Sequence, residues 1–379
     1  TWVLLPEGAV GTLNLSCSFT LTSMRRGCDS PFGKAARTET LPLRNTYCRP
    51  NRVPSMNENP SRYGMTVPLA GSLLDHYEIF RELVDLGYTD VWSAEANDTD
   101  GLTPLVLAAA WAPELRLGTA ILPVFTRGPA LLAQSAAALA SAAPGRFLLG
   151  VGSSSDVIVE RWNGIPFEDP YQRVRDTVRF LRVALTGEKV TEDYETFQVS
   201  GFRLGRVPEQ QPPILVAALQ EGMLRLAGRE SDGAIINWLS ATDVGQVSEI
   251  VTSQGSGKEI VARIFVCPSD DREQVLAGGR FAMAAYLNVP VYRAFHEWMG
   301  RGELLEEHWE QWASGDRKGS LAKIPEQVVD DLIVHGTPDD CRAHIQRYVE
   351  AGVTCPALAV LPLTGGDMRQ AVRDLAPVN

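Results

Sequence analysis

Apolar positions along this chain change period repeatedly. From Met65 onward, short β-rich runs alternate with longer stretches in which apolar side chains return every three or four positions, the mark of βα units and a parallel sheet. The runs predict strands over 66–70, 89–93, 116–122, 146–151, 213–217, 233–238, 259–267 and 357–361. The helical spacing predicts helices over 73–86, 102–111, 129–142, 171–185, 220–229, 244–252, 271–286, 338–351 and 368–375. In the first of these Leu74, Tyr77, Phe80, Leu83, Val84 and Leu86 share one face, and Gly87 closes it. Residues 190–204 read as an inserted extended segment, and 288–335 as a polar, Trp-bearing insertion. Eight strands each followed by a helix predict an α/β fold, a (β/α)8 TIM barrel with insertions. An open doubly wound sheet would need fewer strands or two domains, and no Gly/Pro/Ser linker divides this body.

The first 64 residues are different material. They hold eight Lys/Arg and four Asp/Glu, so the net charge of -11 divides into +4 there and -15 in the rest. Three of the six cysteines (Cys17, Cys28, Cys48) fall in this stretch, and no period of 2 or 3.6 is sustained after Phe19. We expect residues 1–64 to be a poorly structured N-terminal extension preceding a catalytic domain over 65–379. It reads either as upstream frame before a start at Met56 or Met65, or as an Arg-rich leader; it lacks the pattern of a secretory signal. The cysteine spacings match no zinc site, so reduced thiols and a cytoplasmic protein are expected. No apolar run is long enough to span a bilayer, and the acidic balance argues against nucleic acid, leaving neither membrane nor nucleic acid as an expected partner.

In a barrel the working residues follow the strand carboxyl ends. Here those positions hold Ala94 to Asp98, Pro123 to Arg127, Gly152 to Asp156, Ala218 to Gly222, and Asn237-Trp238. They carry small residues, hydroxyls and amides, with no His, Cys or metal-ligand spacing, so metal hydrolysis and thiol catalysis are not expected. His76, His296, His308, His335 and His344 fall on predicted helices or in the late insertion, where packing or surface roles are expected. Two segments suit a phosphate: Gly150-Val-Gly152-Ser153-Ser154-Ser155 after strand four, and Ala217-Ala218-Leu-Gln220-Glu-Gly222 opening a helix. The third glycine of a dinucleotide fingerprint is missing. Glu95 and Asp156 are the candidate acids, with a helix cap or a loop charge as the plainer reading of each.

The run RLGTAILPVFTRGPALLAQ from Arg116 to Gln134, then GRFLLGVG from Gly145 to Gly152, then VIVERWNGIPF from Val157 to Phe167, resembles the bacterial-luciferase-like oxidoreductases. More narrowly it is similar to their branch that uses the deazaflavin coenzyme F420. The resemblance continues through 213–219, 224–228 and 232–239 and covers the body without the tail. It implies a TIM barrel with the cofactor ring across the carboxyl end and a non-prolyl cis peptide at Ala120-Ile121 behind it, where many members have Gly in place of Ala120. It implies cofactor phosphate at Ala217, Ala218, Gln220 and Gly222 with Asn237 and Trp238 nearby, and Glu95 and Asn97 approaching ring and substrate. Glu95 is then the first candidate proton partner and Asp156 the second, while Arg127 or Arg161 would relieve the anionic tail of F420. Three functions stay open: an F420-dependent oxidoreductase of a small molecule, a reduced-FMN monooxygenase, and a catalytically silent ligand-binding barrel. The aromatics Tyr292, Phe295, Trp298, Trp309 and Trp312 of the insertion would wall the site or bury a subunit contact, a homodimer being common in the family.

Overall fold

Eight parallel strands close into a ring in the order in which they occur. The computed structural model describes residues 62–361 and 366–377. Its barrel strands are β1 (Gly64–Val67), β2 (Asp90–Ser93), β3 (Arg116–Thr119), β4 (Phe147–Gly152), β5 (Ile214–Ala217), β6 (Gly233–Asn237), β7 (Glu259–Cys267) and β8 (Cys355–Val360). Each pairs with the next, and β8 pairs with β1. The helices packed between them are α1 (His76–Asp85), α2 (Thr103–Trp111), α3 (Pro129–Ala142), α4 (Pro170–Ala184), α5 (Glu221–Glu230), α6 (Ala241–Thr252) and α7 (Arg272–Leu287). The insertion contributes α8 (Pro290–Trp298), α9 (Gly302–Ala313), α10 (Arg317–Ala322) and α11 (Glu326–Leu332), and α12 (Pro338–Glu350) and α13 (Met368–Asp374) follow.

Strand alternation separates two cores. Val91, Leu117, Leu149, Val216, Ile236 and Ile264 point outward and pack with the helices. Trp92, Leu148, Leu215, Ile235, Val261 and Ala357 point inward and fill the barrel axis. Burying one such side chain stabilises by about 1.5–3 kcal/mol. The amino-terminal mouth below this plug is closed by charge. Arg62 pairs with Asp90 and Glu259, and Arg116 lies 3.6 Å from Glu259. Asp90 is fully buried, so losing Arg62 would strand its charge at a cost of about 3–5 kcal/mol.

Several boundaries differ from expectation. Arg62, Tyr63 and Gly64 belong to the barrel rather than to the extension, because the ion pairs of Arg62 and the pairing of Gly64 with Asp90 and Ala357 hold them there. Residues 1–61, with Cys17, Cys28 and Cys48, lie outside the described residues. Cys267, Cys341 and Cys355 are free and buried. The first strand ends at Val67, before the cis Val67-Pro68 bond, and the third stops at Thr119 and resumes as Leu122–Pro123 beyond a cis Ala120-Ile121 peptide. The 190–204 segment is an antiparallel hairpin, Val190–Asp193 with Gln198–Phe202. The stretch 288–335 is largely helical, and its Leu305, Trp309, Ile324 and Val328 share one core with Phe265, Met283 and Ala359 of the barrel.

Candidate active site

The carboxyl-end rim is lined by small side chains. Gly152 on β4, Ala217 on β5 and Ala359 on β8 share inward parity with the plug, and Ala120 and Ile121 pack on the plug from β3. A Cβ added to Gly152 would sit 2.9 Å from the Cβ of Ala217 and 3.3 Å from Cγ1 of Ile121, so the ends of β3, β4 and β5 meet at one point. The non-prolyl cis peptide lies at Ala120-Ile121, where the resemblance put it. Gly150 has a different role from the one expected. A Cβ there would fall 1.9 Å from the Thr119 carbonyl oxygen, and Thr119 Oγ1 both donates to Gly150 O and accepts from Gly150 N at 2.8 Å. That glycine permits β3 and β4 to close up and is packed below the rim.

Two loops after β4 and β5 border the rim. Ser153, Ser154 and Asp156 are partly exposed, and Ser154 adopts a left-handed backbone (φ 65°), uncommon away from glycine and concentrated at functional loops. Asp156 opens a wide helical turn over Val157–Trp162 and pairs with Arg161 at 3.0 Å. Ala218 is buried, its N–H donating to Ile235 O at 3.0 Å. Gln220 begins α5 without a side-chain cap, which leaves the first N–H groups of that helix unclaimed by side chains, and Gly222 opens onto free space.

The loop after β2 is tied to the loop after β3. Glu95 Oε2 accepts from Arg127 Nη2 at 2.7 Å, Arg127 Nε at 3.2 Å and Gly101 N at 3.2 Å, while Oε1 accepts from Thr126 Oγ1 at 3.3 Å. An arginine and two further donors, the Gly101 N–H and the Thr126 hydroxyl, thus fix this carboxylate in place. Arg127 is thereby engaged, with Asp100 also 3.6 Å away, whereas Arg161 is largely exposed. Asn97 lies exposed in the β2 loop, and Thr66, Pro68, Ala94, Ala96 and Asp98 line a small dent of about 10 Å³ beside it. A larger hollow, about 210 Å³, lies between the ends of β7 and β8 and α13.

The sixth strand brings Asn237 to the rim, with the ring of Trp238 buried beside it. Asn237 shares inward parity with Ile235 and donates from Nδ2 to Tyr292 Oη at 2.9 Å. Trp238 is stacked on Phe265 (3.7 Å between centroids) and against Tyr286, and is 2% exposed. It braces the rim from a core that the insertion shares with the ends of the barrel strands. Of the insertion aromatics, Tyr292 reaches the site; Phe295 and Trp309 are buried, and Trp312 lies under Arg317. His76 is buried and ties down the loop after β1, with Nδ1 2.9 Å from Ser72 O and Nε2 accepting from Leu69 N. Arg263 is a rim residue that the loop-based reading passed over. Its signal was present: one arginine inside the apolar run of 259–267, at the parity of Val261.

A family model described as luciferase-like monooxygenase matches residues 48–355. A 5,10-methylenetetrahydromethanopterin reductase of Methanolobus tindarius is 29% identical over 289 residues, covering 71% of this chain and 84% of that protein. An F420-dependent glucose-6-phosphate dehydrogenase of Kineococcus radiotolerans is 28% identical over 291 residues, covering 71% and 81%. Among solved structures, the coenzyme F420-dependent tetrahydromethanopterin reductase of Methanopyrus kandleri superposes with a TM-score of 0.69 at 19% identity, covering 84% of this chain and 97% of that one.

Proposed function

The chain belongs to the luciferase-like monooxygenase family, and from that premise we propose that it is a coenzyme F420-dependent oxidoreductase that transfers a hydride between deazaflavin C5 and a small organic substrate. The relatives named for F420 use support the cofactor. One observation in this chain carries the reading: the rim floor of Gly152, Ala217 and Ile121 leaves no room for a further side chain and adjoins the uncapped start of α5. The residues present fit a flat ring with a phosphate attached. Ala120, Ile121 and Gly152 would bear on the ring, and the N–H groups at Gln220 and Gly222, with Ala217 and Ala218 behind them, would hold the phosphate. Ser153, Ser154 and Asn237 would supply hydrogen bonds at its edge. When bound, the deazaflavin supplies a two-electron hydride centre and little oxygen chemistry.

The protein's own part is orientation and proton handling. Glu95, fixed by Arg127, Thr126 and Gly101, ties the β2 loop that carries Asn97 to the β3 loop and serves as an anchor. Asp156 has a single ionic partner, on a largely exposed arginine, and Oδ2 alone is engaged; it is the carboxyl better suited to carry a proton to or from the reacting atom. The protein also pairs as a homodimer in this reading, because α2 is apolar on every face while Val106 stays about half exposed.

Titrating F420 and FMN separately into the purified protein, by quenching of deazaflavin fluorescence and by FMN retention, tests the cofactor. Micromolar or tighter F420 binding with no retained FMN is expected. The reverse would make the protein a reduced-FMN monooxygenase, and binding of neither would favour a catalytically silent barrel.

A further inference from the structure

Arg263 is a cation at the rim without a counterion. In β7, Ile260, Ala262 and Ile264 pack outward with the helices, and Val261 packs inward with Trp92 and Leu215. Arg263 therefore faces the axis, in register with Asn237 on β6 and Ala357 on β8. Its guanidinium stands over the Phe265 ring, 4.9 Å from the centroid. Its Nε is shut off from solvent with no acceptor, and no carboxylate lies within 4 Å of it among the described residues. The arginines elsewhere in the barrel mouths are handled differently: Arg62 and Arg116 meet Asp90 and Glu259, and Arg127 meets Glu95.

Its neighbours are also incomplete. Asn237 spends its amide on Tyr292 Oη, and its Oδ1 is buried without a donor. Burial pushes the Tyr292 phenol above its ordinary range, so the hydroxyl keeps its proton. A half-buried guanidinium whose Nε–H is shut off from water and unmet is costly unless an anion completes it. Its planar fork matches a carboxylate or phosphate edge to edge, and its hydrophobic face already rests on Phe265. In an eight-stranded ring β7 lies opposite β3, so Arg263 faces Ala120 and Ile121 across the mouth. It is also two strands away from the end of β5, where the cofactor phosphate is assigned.

We propose that Arg263, flanked by Asn237 and Tyr292, is an oxyanion-recognition subsite, and that the substrate carries a carboxylate or a phosphate close to the carbon that exchanges hydride. The location of the reacting carbon rests on the F420 reading above; the subsite itself does not. A neutral substrate of the same shape would leave the guanidinium unmet, so the subsite selects for charge as well as shape.

The test titrates benzoate, phenyl phosphate, inorganic phosphate and neutral benzamide into the full-length protein, with and without F420, by calorimetry and by the shift in melting temperature. At least one of the oxyanions is expected to bind and benzamide not to. Benzoate against the two phosphates tells carboxylate from phosphate. Arg263→Met is expected to weaken the bound oxyanion tenfold or more while F420 quenching stays unchanged. Asn237→Asp keeps the arginine but gives it an internal counterion, and is expected to weaken the oxyanion comparably, which decides the matter should Arg263→Met fail to fold. The subsite is overturned by binding of none of the oxyanions, by equal binding in the variants, or by a selective loss of F420 affinity in Arg263→Met. Failure of F420 to bind the unaltered protein would instead remove the function proposed above, and the cofactor-free titrations would still read the subsite.

Discussion

His296 shows how one buried ring sets a pH response. Its side chain is fully enclosed, neither ring nitrogen has a partner, and burial, helped by the nearby Arg301 guanidinium, pulls its pKa to about 3. The unfolded chain takes up a proton near pH 6.5 that the folded chain refuses. Stability from this group is therefore complete above pH 6.5 and is lost as the pH falls toward 3, by roughly 3 kcal/mol at pH 4. His344, drawn down to about 4 by burial, adds in the same direction. Urea midpoints should fall between pH 6.5 and 4 in the native chain and fall less in His296→Leu; equal slopes would remove His296 as the cause. At this scale the sequence was hardest to read. Glu95 and Asp156 look alike as loop carboxylates, and only the three-dimensional approach of Arg127 and Thr126 separates an anchored group from a freer one. Gly150 and Gly152 differ by one strand repeat, yet the first is packed under a carbonyl and the second floors the rim.

Elements carry the cofactor assignment. The start of α5 has no side-chain cap, and its second residue, Gly222, meets nothing within 4 Å. Gly222→Asp places a carboxylate in the first turn, where it favours the helix dipole by about 0.3–1 kcal/mol and replaces a poor helix former. The melting temperature should hold or rise while F420 binding weakens tenfold or more by charge repulsion, and unchanged F420 affinity would move the phosphate elsewhere. Elements were also the most legible part of the chain. Strands buried on both faces read as short apolar runs and helices as one-sided stripes, so most boundaries of the eight βα units fell within two residues. The misses have physical causes: Pro68 removes an N–H and ends β1 early, the third strand breaks at Ala120-Ile121, and the polar surface of α8 to α11 hid their common core around Trp309.

For the molecule as a whole, exposed apolar side chains bear on association. Val106 on α2, Leu131 on α3 and Tyr77 on α1 remain about half exposed on neighbouring helices, an apolar strip of the kind that a partner copy covers. Light scattering should return twice the chain mass, and the pair Val106→Glu and Leu131→Glu should return a single chain with its fold intact; a monomeric native protein would sink the dimer. The closed ring was inferable from the count of strands, whereas the sealing of its lower mouth was not, since Arg62 stands in a stretch with no periodic pattern. That seal governs traffic. With Trp92 filling the axis and Arg62, Asp90 and Glu259 closing the far end, the barrel is a vessel with one door, and any ligand held at its rim enters and leaves from the carboxyl end.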